Sequence, residues 1–125
     1  MARISSEPLR VEALFLCRNV TKDDGRFVIE DVFNSTRPGK QHSFKLFALL
    51  SGAPGDYGLA VDVVAESGEH WLTRRAEPFQ HAEHTLSYYS VGFDAPTIGD
   101  PGRIEFRLLC DDKPIGSTTL TVVPK

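Results

Sequence analysis

Arg103-Ile104-Glu105-Phe106-Arg107-Leu108 sets a charged side chain against an apolar one at every step. Alternation with period two marks a strand with one face on a core and the other in water. Asp111-Asp112-Lys113-Pro114 then turns the chain, and 115–123 runs back with Leu120 and Val122 on one face and Thr119 and Thr121 on the other. A closing hairpin whose turn is built from Asp makes this end of the chain β-structure.

The same period recurs toward the N-terminus. Segments 103–108 and 115–123 are the last two of eight expected strands, the others being 9–17, 27–33, 44–50, 59–65, 70–73 and 85–93. Turn residues fill most of the gaps: Asp23-Asp24-Gly25, Arg37-Pro38-Gly39-Lys40, Ser67-Gly68-Glu69 and the Pro/Gly-rich 94–102. The phase of 27–33 breaks at Glu30-Asp31, where a bulge is expected. Segment 74–83 carries Pro78 and is expected to be a loop or a single helical turn. No i, i+3, i+4, i+7 pattern is sustained, so no crossover helix is expected and the sheets should be antiparallel. The expected fold is all-β, an antiparallel eight-stranded β-sandwich of immunoglobulin-like type. It spans 1–125 as one domain, with 1–7 a flexible N-terminal arm.

Size and composition agree. A chain of 125 residues should bury about two-thirds of its unfolded surface, enough for a core without disulfide or metal staples. Charged residues are 25% and the net charge is −3, which excludes a disordered tail and gives no whole-chain attraction to nucleic acid. The longest uninterrupted apolar runs, 13–17 and 46–50, fall far short of the about 20 residues of a spanning helix, so no membrane contact and a cytoplasmic location are expected.

The two ends also carry a resemblance. Val11-Glu12-Ala13-Leu14-Phe15-Leu16-Cys17, with Asp24-Gly25-Arg26 and Val28-Ile29-Glu30-Asp31-Val32-Phe33, resembles the opening hairpin of a family of small bacterial β-sandwich proteins of unknown function. Pro101-Gly102-Arg103-Ile104-Glu105-Phe106-Arg107-Leu108-Leu109, Asp111-Asp112, Ile115-Gly116 and Leu120-Thr121-Val122 are similar to its closing hairpin. The resemblance covers the first and last quarters. It implies an immunoglobulin-like β-sandwich and no catalytic residues.

Chemistry-bearing residues do not assemble into a recognisable frame. Cys17 and Cys110 lack C-x-x-C spacing and share their phases with apolar neighbours, so both are expected to be reduced and buried. A bridge of immunoglobulin type beside Trp71 would want a tyrosine two residues before the second cysteine, where Leu108 stands. His81 and His84 would share a face only on a helical turn. The acidic pairs Asp23-Asp24 and Asp111-Asp112 have complete turn explanations and form no calcium-loop run. Arg74-Arg75 is the one adjacent pair of cations suited to a carboxylate or phosphate. There is no G-x-S-x-G and no phosphate loop. No enzyme activity, metal or cofactor is expected.

What remains is apolar excess. In 44–50, Phe44, Leu46, Ala48 and Leu50 take one face while Phe47 and Leu49 take much of the other; in 9–17, Leu14 and Leu16 oppose Ala13, Phe15 and Cys17. A sheet face left to water should be polar. These strands need a second cover, either a loop such as 74–83 or another protein chain. The functional expectation is a non-catalytic protein-interaction or assembly module that forms a homodimer or binds another protein. The candidate interface residues are Leu14, Leu16, Phe47, Leu49 and Tyr88. The alternative is a small-ligand or carbohydrate-binding domain, with Tyr57, Trp71, Tyr88 and Tyr89 as stacking aromatics.

Overall fold

A computed structural model describes residues 9–82 and 85–124, with side chains for all of these except 70–76. The described residues form eleven strands and no helix. The expected arm at 1–7 and the residues Glu83 and His84 lie outside them, as do the side chains of Trp71, Arg74 and Arg75.

The chain is all-β, as expected, and eight of its strands are seven residues or longer: β1 (Arg10–Asp23), β2 (Arg26–Phe33), β5 (Phe44–Ser51), β6 (Gly55–Ala65), β7 (His70–His81), β8 (Ser87–Phe93), β10 (Gly102–Cys110) and β11 (Lys113–Val122). Three two-residue strands join them: β3 (Ser35–Thr36), β4 (Gly39–Lys40) and β9 (Thr97–Ile98). Sheet A runs in the order β2-β1-β5-β8 and sheet B in the order β3-β11-β10-β6-β7, while β4 and β9 pair separately. The two large sheets share one core, in which Leu46, Leu50 and Val91 of sheet A meet Leu59, Val61, Phe106 and Leu108 of sheet B.

Three expectations are corrected. Segment 74–83 is neither loop nor helical turn, since β7 continues to His81. Pro78 is accommodated there because β7 is an edge strand, where one side of the backbone needs no partner. Pairing is not wholly antiparallel, because β3 runs parallel to β11, Ser35 beside Thr121 and Thr36 beside Val122. This short pairing carries the chain from sheet A to sheet B after β2. Finally, no residue is inserted at Glu30-Asp31: the β1–β2 register is the same on both sides, Cys17 opposite Val32 and Asn19 opposite Glu30. The phase break comes instead from Asp31, whose φ of 53° lies in the left-handed region and turns the strand.

That turn sets the shape of sheet A. β5 pairs with β1 only as far as Cys17, while β1 continues to Asp23. Before the kink, Phe33 packs edge-on against the core residue Phe44 at 5.5 Å. Beyond it, Phe27 lies 5.4 Å from Phe47, on the opposite face of β5. The far half of the β1–β2 hairpin is therefore an arm folded over the outer face of its own sheet.

Candidate functional site

The outer face of sheet A is an aromatic layer. Phe47 is fully buried. Its ring centroid lies 5.4 Å from Phe15, 5.4 Å from Phe27 and 6.2 Å from Tyr88. Phe27 and Tyr88 meet edge to face at 5.0 Å, and the Lys22 ammonium sits 5.8 Å from the centre of the Tyr88 ring, within reach of a cation–π contact. Phe27 and Lys22 face each other across the arm and hold it down together. The second cover required by Phe47 is thus supplied within the chain, by the arm rather than by segment 74–83. Burial of one such ring contributes roughly 1.5–3 kcal/mol.

The five candidate interface residues are placed differently. Phe47 lies under the arm. Leu16 is buried in the shared core, and Leu14 packs against the core from its margin; a Cβ on Gly116 of β11 would stand 3.4 Å from Leu14, so Leu14 faces sheet B. Leu49 is half-buried on the outer face. Tyr88 is 43% exposed at the rim of the aromatic layer. Of the proposed stacking aromatics, Tyr57 and Tyr89 are buried in the core, so Tyr88 is the one with an exposed ring among the described side chains.

The edge strand of the arm carries apolar surface on both of its faces. Val28 is 50%, Ile29 37% and Val32 60% exposed. All three belong to β2, which ends sheet A and, among the described residues, has no strand beyond it. The signal in the sequence was Phe27-Val28-Ile29, a run apolar on both faces, but it read as an ordinary return strand because nothing local showed that the hairpin would leave the sheet plane.

Both cysteines are buried thiols, not joined to each other. Cys110 belongs to the core between the sheets. Cys17 lies opposite Lys45; burial pushes its thiol above the ordinary value, and the Lys45 charge draws it partly back. His81 is buried, its Nδ1 2.7 Å from Ser87 Oγ, and serves to tie β7 to β8. No group of three or more His, Cys, Asp or Glu side chains suited to a metal ion occurs among the described residues.

One cleft of about 450 Å3 opens at the base of the arm. Arg18 and Asp31 line it from the kink, and Arg37, Lys40 and His42 from the loop around β4. Gln41 stiffens that loop: its amide donates to the carbonyls of Arg37 at 2.8 Å and Gly39 at 3.0 Å, and its Oε1 accepts from Thr36 at 2.6 Å. Three cations against one carboxylate make this wall locally positive in a chain of net charge −3.

No helix among the described residues is long and apolar enough to cross a membrane. No protein-family model matches the chain, and no curated protein matches it. Among solved structures it is similar to the Pseudomonas fluorescens alkylpurine DNA glycosylase AlkC, bound to DNA containing an abasic site analog. That likeness has a TM-score of 0.61 at 13% identity and covers 95% of this chain but 31% of the other. It is also similar to a Bacteroides fragilis protein assigned as a β-galactosidase, with a TM-score of 0.50 at 16% identity, over 87% of this chain and 16% of that one. At these identities the likeness is one of fold.

Proposed function

We propose that this chain is an immunoglobulin-like β-sandwich that acts by binding and not by chemistry, as a protein-interaction module that self-associates through the arm side of sheet A. The observation that carries this reading is the exposed apolar surface of an unpaired edge strand, Val28, Ile29 and Val32. Of the six large apolar side chains exposed among the described residues, these three share one strand. Edge strands are ordinarily blunted with Lys, Pro or a covering loop. The edge strand β7 carries Pro78 and β3 has two residues; β2 and β8, the two edges of sheet A, have neither protection, but β8 exposes one large apolar side chain, Tyr88, where β2 exposes three. Tyr88 adds an aromatic rim, a side chain type enriched at interfaces. Light scattering behind size exclusion, over a concentration series, tests the reading. A dimer fraction that grows with concentration and falls in Val28→Asp supports it; a monomer throughout removes self-association.

The cleft favours a second reading, a small anionic ligand held by Arg18, Arg37 and Lys40. Calorimetric titration with inorganic phosphate and with citrate tests it, and Arg37→Ala should abolish any heat of binding.

A further inference from the structure

We infer that two copies of the chain join β2 to β2, antiparallel, in the single register that centres Val28 on the two-fold axis and sets Arg26 of each copy against Glu30 of the other. This rests on the self-association proposed above and specifies its contact. Three observations lead to it.

The first is hydrogen-bond parity. Asp23 and Arg26 flank a two-residue turn, Asp24-Gly25, with φ of 50° and 76°. Residues flanking such a turn form a hydrogen-bonded pair, and pairs alternate from there along the ladder. Arg26, Val28 and Glu30 therefore spend their backbone groups on β1. Phe27 and Ile29 direct theirs outward, to an edge that no strand of the described residues covers. Only registers that set Phe27 or Ile29 of one copy against an outward-directed residue of the other can form a ladder.

The second is charge. Arg26, Val28 and Glu30 all stand exposed on the arm, on the face opposite Phe27. Pairing Phe27 with Ile29 of the second copy places Val28 on Val28 and makes two Arg26–Glu30 contacts. Shifting the register one way sets Glu30 against Asp24; shifting it two steps the other way sets Glu30 against Glu30. The remaining shift faces Glu30 with Val28 and Arg26 with Val32. Like charges opposed across a ladder are destabilising, so one register satisfies charge, apolar contact and hydrogen bonds together.

The third is access. Phe27 points down onto Phe47 and Tyr88, so the arm is held from beneath while its outer edge stays open, with Val28 half exposed. Strand addition to such an edge draws affinity from main-chain bonds and register from side chains.

The test is charge reversal, read by sedimentation of the full chain. Arg26→Glu and Glu30→Arg should each weaken the dimer about ten- to thirtyfold, because two attractive pairs become two repulsive ones. An equimolar mixture of the two variants should restore wild-type affinity, since both pairs are then opposite in sign, and so should the double variant. Arg26→Gln and Glu30→Gln give the same direction by about threefold and stand in should a reversal impair folding, which cooperative thermal melting reports. A wild-type dimer that ignores all four substitutions overturns the register and leaves self-association intact. Reversals that weaken the dimer without rescue on mixing overturn the register as well. A wild type that stays monomeric overturns both readings.

Discussion

The chain opens and closes with a hairpin on a two-residue turn in the left-handed region, Asp24-Gly25 in the first and Asp111-Asp112 in the last. The last hairpin stays in its sheet. Its turn is tied to β6 from both sides: the Asp111 N–H donates to the Gly58 carbonyl, and the Gly58 N–H donates to Asp111 Oδ1, each at 2.8 Å. Its β10 strand has neighbours on both sides, β11 and β6. Among the described residues the first hairpin has no such tether at its tip, and Asp31 turns it out of the sheet. Phe27 and Lys22 hold it against sheet A. Similar turns thus yield a structural closure at one end and an exposed edge at the other. The difference lies in what each tip can reach.

The largest effect should follow from removing what lies beneath the arm. Phe47→Ala deletes the fully buried ring on which the arm rests, and should cost about 3–5 kcal/mol. Leu120→Ala in the last hairpin, also fully buried, should cost about 2–5 kcal/mol. Urea titrations report both. A Phe47→Ala cost near that of an exposed position would mean that the arm does not rest where the rings place it.

The faces of the last hairpin were legible, because Arg103 to Leu108 keeps one polar and one apolar face; its register shift between Leu108 and Leu109 was not. The aromatic layer was half legible. The doubly apolar pattern of 44–50 shows that Phe47 needs a cover, but not which segment supplies it, since that depends on a single left-handed residue, Asp31, in the adjacent hairpin. Period two predicts faces only while a strand stays straight. The phase of 9–17 was read in reverse for the same reason: the β1–β5 register shifts between Val11 and Ala13, so Val11 and Leu14 both face sheet B. The cleft was not legible, because Arg18 and Arg37 meet only after the chain has crossed from β2 into β3.

Loosening the arm without disturbing the core is the next test. Phe27 is half-buried, so Phe27→Ala should cost less than Phe47→Ala, about 2 kcal/mol. Its signature should be local. Native-state hydrogen exchange should speed up at the Thr21 and Val28 amides, which pair within the arm, and leave Ile104 and Thr121 unchanged. Equal acceleration in both hairpins would show that the arm opens only with the whole fold.

Cys17 adds a pH dependence to the arm side. Burial raises its thiol in the folded state, so the unfolded chain loses that proton first as pH rises. Stability is then fully present below the ordinary thiol range and falls as pH climbs through it. Cys17→Ala should flatten that fall in melts taken from neutral to alkaline pH. A slope identical to wild type would assign the alkaline loss to other groups.

The smallest effect compares the two turns directly. Gly25 and Asp112 hold the same position, second in a two-residue hairpin turn, with φ of 76° and 68°. Glycine takes that conformation without steric cost, whereas a side chain there costs about 1 kcal/mol, less for Asp than for most residues. Asp112→Gly removes this strain and one of two adjacent like charges, and gives back part of the gain because the unfolded chain becomes more flexible, about 0.4–1 kcal/mol. The turn's tether is untouched, since it belongs to Asp111. Asp112→Gly should therefore stabilise the protein by about 0.5 kcal/mol, seen as a higher urea midpoint at unchanged slope, and Gly25→Asp should do the reverse in the first turn. If Asp112→Gly instead destabilises by a full kcal/mol, the Asp112 carboxylate holds the last turn as Asp111 does. The contrast between the two tips would then be larger than the backbone alone accounts for.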